Sequence, residues 1–200
     1  MKLRKALVVL TAVAVPITMI TVFGGVASAK KGGGAINQPG TVSCNTIKGT
    51  ITFNPPLTLS GSSPENANVK ITVKGCSVTG GTVKPKKGTV SGGLTSGGNN
   101  NCTSLENSQP ETLTVKWAPA GKINPTTASF SGYSVATNAQ GDEGFSLPNS
   151  GGTGSTAGSY AQSSGVTATA YSNETSSQLA SACGSSGGLK TLKLTSGSIG

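Results

Sequence analysis

Much of the chain consists of short stretches in which apolar and polar residues alternate, each cut off by glycine, serine, asparagine or proline before it reaches helix length. Gly49-Thr50-Ile51-Thr52-Phe53 is one such stretch, and its alternation puts Ile51 and Phe53 on one face of an extended chain. Asn54-Pro55-Pro56 stops it, because proline has no N–H to give to a ladder. The pattern returns in Val69 to Lys74 and Leu113 to Trp117, more loosely in Phe130 to Val135 and Val166 to Tyr171, and again in Leu192-Lys193-Leu194. Between these runs lie SGSSPENAN, SGGNNN and LPNSGGTGS, which are turn and loop chemistry. One buried face and one wet face on many short strands predict an all-β fold, an antiparallel β-sandwich of immunoglobulin-like or jelly-roll-like form. The spacing lacks the fixed period of a solenoid or propeller. One short helix is expected near the C-terminus, from Glu174 to Ala182, with Asn173 or Ser172 as N-cap and Gly184 just past its end.

Such a domain has a thin core, since only 34% of the residues are hydrophobic and 4% aromatic. Covalent staples are the usual remedy. The four cysteines, Cys44, Cys76, Cys102 and Cys183, read as a disulfide framework whose connectivity the sequence leaves open. The expected pairs are Cys76 with Cys102, closing a glycine-rich region, and Cys44 with Cys183, tying the opening strand to the closing one. Metal binding is disfavoured, because the chain has no C-x-x-C pair and no histidine.

The first residues read as a signal peptide, 1–29: MKLRK, an apolar run, then the small-residue site Ala27-Ser28-Ala29. A retained membrane anchor is the alternative, and Pro16, Gly24-Gly25 and the A-x-A site argue against it, so no stable membrane anchor is expected. A flexible segment, 30–43, would precede a disulfide-stapled domain, 44–200. Cleavage removes Lys2, Arg4 and Lys5 from a net charge of +9. Arg4 is the chain's only arginine, so the remaining positive charge is all lysine.

The order of motifs is distinctive: Cys44 ahead of GTITFNPPLTL, then VKITVKGCSVTGG, then CTSLENSQPETLTVKW, and finally QLASACGSSGGLKTLKLTSGSI. In this the chain resembles a group of small secreted β-rich proteins of actinobacteria. The resemblance covers most of the chain after the signal peptide. Its markers are the F-x-P-P-L-T phrase, Gly75-Cys76, the strand ending in Trp117, and Cys183 followed by G-G-L-K. It implies an extracellular or cell-wall location and a β-sandwich-like fold. The group carries no established activity, so no functional residue transfers from it.

Short strings that mimic active-site or sorting motifs fail on context. Gly184-Ser185-Ser186-Gly187-Gly188 fits a nucleophile elbow, yet there is no histidine to take a serine proton. Leu147-Pro148-Asn149-Ser150-Gly151 resembles a sorting signal but is followed by polar sequence rather than an apolar tail. Asp142-Glu143, between Gly141 and Gly144, reads as a solvated loop tip, and adjacent strand residues point to opposite faces, which does not suit a paired-carboxylate hydrolase. Glu65, Glu106, Glu111 and Glu174 sit in scattered contexts. Asn101-Cys102-Thr103 and Asn173-Glu174-Thr175 fit N-x-S/T without further support. Trp117 shares a face with Leu113 and Val115 and is expected in the core, whereas Tyr160, among glycine and serine, is the better candidate for an exposed ring.

The lysines carry the most specific expectation. Lys70, Lys74, Lys116 and Lys193 all take outward strand positions, and Lys84, Lys86 and Lys87 cluster around Pro85 in a loop. Neighbouring strands would gather the outward set into a basic face suited to an anionic cell-envelope polymer or glycan; ordinary solubilising charge is the competing reading. Nucleic acid is not expected, for want of arginine and of interleaved aromatics. The sequence therefore predicts a secreted, non-enzymatic binding or surface protein with no cofactor, no metal and no catalytic residues. The alternatives are a protease inhibitor presenting the segment between Cys76 and Cys102, a self-associating envelope protein, and a carboxylate-based glycan hydrolase.

Overall fold

The computed structural model describes residues 34–94, 98–103 and 109–200. The expected signal peptide and the start of the segment after it lie outside the described residues. Among these residues, eleven strands and one helix follow in order: β1 Thr41–Leu57, β2 Asn66–Thr79, β3 Lys87–Leu94, β4 Glu111–Ala118, β5 Thr126–Phe130, β6 Ser134–Thr137, β7 Asp142–Leu147, β8 Gly154–Gly158, β9 Ala168–Thr175, α1 Ser176–Gly184, β10 Leu189–Leu194 and β11 Ser196–Ile199.

The fold is an antiparallel β-sandwich in which one hydrogen-bonded sheet folds over itself. The strands run β6-β7-β9-β11-β1-β2-β3-β4-β5-β8, and β10 also pairs with β1. The 17-residue β1 serves both partners: Cys44 faces Ile199 of β11, and Gly49 to Leu57 face β10. Between β10 and β11 the chain steps at Thr195, whose N–H turns to the Tyr171 carbonyl at 2.8 Å. Reciprocal bonds of 3.0 Å join Thr167 and Gly200, and Val166 donates to Gly154 at 3.3 Å. The free side of β8 is thereby drawn back toward the lead-in to β9.

Alternation sets the core as the sequence predicts. Ile47, Ile51 and Phe53 of β1, Val69 and Val73 of β2, and Leu113, Val115 and Trp117 of β4 are all buried. Trp117 lies opposite Gly88 of β3, and a Cβ on Gly88 would come within 2.8 Å of Trp117, Val115 and Val73. The missing side chain is the space the indole occupies. The indole N–H donates to Thr126 Oγ1 at 2.7 Å, and the ring meets Tyr160 edge-on at 5.6 Å. This gives the buried indole both its hydrogen bond and a favourable aromatic contact.

Four expectations about pairing, burial and element bounds need correcting here. The disulfides are Cys44–Cys76 and Cys102–Cys183. Cys44 and Cys76 are direct partners in the β1–β2 ladder, with Cα atoms 3.9 Å apart, so neither has reach for the partner expected of it. Tyr160 is fully buried, not exposed: its backbone takes φ 56°, and its hydroxyl donates to the Val83 carbonyl at 2.7 Å. The helix starts at Ser176 with Thr175 as N-cap, because Glu174 still belongs to β9 and Ser172 Oγ is engaged by the backbone around it. The segment ahead of Cys44 is tied down from Ile36 onward: Ile36 bridges Ile123, and Gln38, 2% exposed, donates its backbone N–H to Ser159 Oγ at 3.2 Å and accepts the Tyr160 N–H at its carbonyl at 2.7 Å.

Candidate functional site

The ladder registers decide which lysines meet. Thr50 of β1 faces Lys193 of β10 on one side and Lys70 of β2 on the other. Lys48 of β1 leads across Thr72 and Thr89 to Lys116 of β4. Lys74 of β2 faces Thr46 on one side and Lys87 of β3 on the other. Partners across a ladder share a face, so the expected Lys70, Lys74, Lys116 and Lys193 are joined by Lys48 and Lys87 on the outer side of β10-β1-β2-β3-β4. All are exposed. The only carboxylate within these five strands is Glu111, turned inward and 5% exposed.

Part of this surface is concave. Thr46, Lys48, Thr50, Lys74, Lys193 and Thr195 line a groove of about 820 Å³. Lysines reach it from three strands, with threonine hydroxyls between them as short hydrogen-bonding groups. Lys74 and Lys87 stand directly opposite each other, an arrangement of like charges that disfavours the ladder until an anion lies between them. Lys48 extends the alternation that runs Thr50, Thr52 and needed only two more residues of β1 to be found. Lys87 belongs to β3, not to the loop around Pro85. Lys70 and Lys116 share the face but lie outside the groove.

The carboxylates are held elsewhere. Asp142 opens β7 and accepts from Asn138 Nδ2 at 3.0 Å. Glu143 is 8% exposed, which corrects the reading of a solvated tip. It sits where the β7–β9 register shifts, and its Oε1 accepts from Thr137 Oγ1 at 3.2 Å and from Ser176 Oγ. Glu65 and Glu111, far apart in sequence, converge on the buried Tyr133. Burial, and behind it these two carboxylates, raise the Tyr133 hydroxyl above its ordinary value. Among the described residues no group of three or more cysteine, histidine or acidic side chains could hold a metal ion. The segment between Cys76 and Cys102 is not closed by its own disulfide, and much of it is spent on β3 in the middle of the sheet.

The two disulfides suit an oxidising, extracellular-type setting. Among the described residues no helix is long and apolar enough to cross a membrane. The chain matches no family model, no curated protein and no solved structure.

Proposed function

We propose that this is a secreted, non-enzymatic binding protein of the extracellular space or cell wall, and that its lysine and threonine face holds an anionic polymer of the cell envelope. The observation that carries the reading is the segregation of charge. Lysines from β1, β2, β3, β4 and β10 gather on one face whose strands turn no carboxylate outward. Such a face attracts a polyanion over a distance set by ionic strength. Secretion is supported by the signal-like first residues and the two disulfides, and the actinobacterial resemblance fits the same setting.

The test is co-sedimentation of the purified domain with cell-envelope preparations at low and at high salt. Binding at low salt that disappears at high salt is expected, and Lys48→Glu should remove most of it. Lys122→Glu, an equal charge change in the loop after β4, should leave most of it. Binding indifferent to salt, or equally sensitive to both substitutions, would exclude the lysine face as the contact.

A further inference from the structure

A second site lies under α1, on the other side of β10 from the lysine groove. Val135 of β6, Phe145 of β7, Leu179 of α1, and Leu189 and Leu192 of β10 line a cavity of about 300 Å³, and Glu143 supplies a carboxylate to its wall. That volume is at the lower end of small-molecule sites. The β7–β9 ladder explains why a charged residue points inward here. Asp142 pairs with Thr175 and Gly144 with Tyr171, so Ser172, Asn173 and Glu174 stand opposite Glu143 alone. Ser172 Oγ closes this bulge by donating to the Glu143 carbonyl at 2.8 Å and accepting the Glu174 N–H at 3.0 Å. Bulges of this kind re-aim side chains, and they recur beside binding sites.

Glu143 is held but not neutralised. Both hydrogen bonds it accepts through its side chain go to Oε1, and among the described residues the side chain has no further hydrogen bond and no ion pair. The only fully enclosed side-chain polar atom without a partner among those residues is Gln38 Nε2. Oε2 of Glu143 is therefore both unpartnered and reachable. A carboxylate taken out of water with no cation beside it is unfavourable, and a cation delivered into the cavity relieves that cost. The rest of the lining is apolar apart from Thr103 and Ser176, and together with Val135, 42% exposed at the rim, it asks for a hydrocarbon body behind the charge. We infer that the cavity under α1 binds a small primary amine bearing an alkyl or aryl-alkyl group, its ammonium on Glu143 and its apolar part against Phe145, Leu179 and Leu192.

The test titrates phenethylammonium, and separately the neutral phenethyl alcohol, into the disulfide-intact protein while the methyl resonances of Val135, Leu179, Leu189 and Leu192 are followed by NMR. The amine should bind more tightly than the alcohol by about tenfold or more, the worth of one charge-assisted hydrogen bond. Glu143→Gln, which keeps an acceptor for Thr137 and Ser176 and removes the charge, should close that gap. Absence of shifts with the amine on the native protein, equal affinity for amine and alcohol, or a gap that survives Glu143→Gln would each overturn the inference. If Glu143→Gln does not fold, Leu179→Trp, which fills the cavity from the half-buried face of α1, decides instead: unchanged amine binding would sink the site.

Discussion

The β1–β4 meander and the region covered by α1 carry one disulfide each, and the two bridges act on different kinds of structure. Cys44–Cys76 joins residues that the ladder already holds opposite one another, between the Ser43–Ser77 and Thr46–Lys74 pairs. Cys102–Cys183 ties an irregular segment to a nine-residue helix whose only buried residue is Cys183. A helix of that length is marginal by itself, so its placement rests on the bridge together with Leu179 and Ala182 packed on the core and the Ser176 hydroxyl bonded to Glu143. The covalent link thus reinforces a paired ladder in one region and anchors a short helix in the other.

The sharpest break of that comparison is to remove each bridge in turn. The separations are 32 and 81 residues, for which loop-closure entropy gives about 3.7 and about 4.5 kcal/mol. Cys102→Ser with Cys183→Ser should therefore lower the thermal midpoint more than Cys44→Ser with Cys76→Ser. It should also abolish hydrogen-exchange protection in α1, whereas the β1–β2 amides of the other variant stay protected. A larger loss from the Cys44 and Cys76 pair would mean that the meander, too, is held chiefly by its bridge.

Packing gives the next contrast. Ile51 is 2% exposed on the meander's inner face, between β10 and β2; Leu179 borders a cavity and is only partly buried. Ile51→Ala should cost about 3 to 4 kcal/mol, because the surrounding strands cannot close on the void. Leu179→Ala should cost about 1 kcal/mol, since part of the side chain already faces open space. Urea unfolding of the two variants checks both, and comparable losses would show that the helical end is packed as tightly as the meander.

The same division separates what the sequence disclosed from what it hid. Alternation alone assigned the inner residues Ile51, Val73 and Val115 and the outer Lys70, Lys74, Lys116 and Lys193, because a period of two fixes the face whichever strand lies alongside. Pairing is a different kind of information. Cys44 meets Cys76 because β1 and β2 are neighbours in a particular register, and nothing local to either cysteine says so. Glu143 was hidden for a related reason: the two glycines around Asp142-Glu143 suggest a turn, while the bulge that turns the carboxylate inward is made by β9, nearly thirty residues on. Tyr160 looked exposed by its glycine and serine neighbours, yet it is buried by the Ile36 to Gln38 segment and by Val83, which reach it from distant parts of the chain.

The smallest expected effect tests how much of α1 is written in its own residues. Thr175 and Gln178 form the Thr-x-x-Gln pattern of a capping box, and the Thr175 N–H donates to Gln178 Oε1 at 2.8 Å. This was the one local signal for where the helix begins, and it lies past Ser172 and Asn173, whose capping chemistry drew the expected start too early. Gln178→Ala should cost about 0.5 to 1 kcal/mol, read as faster amide exchange confined to Thr175 and the first turn. The substitution should leave Cys183 oxidised and the meander's exchange untouched, since the disulfide, not the cap, holds the far end of α1. If exchange instead accelerated through the whole of α1, the first turn rather than the Cys102–Cys183 bridge would be what keeps this helix over its cavity.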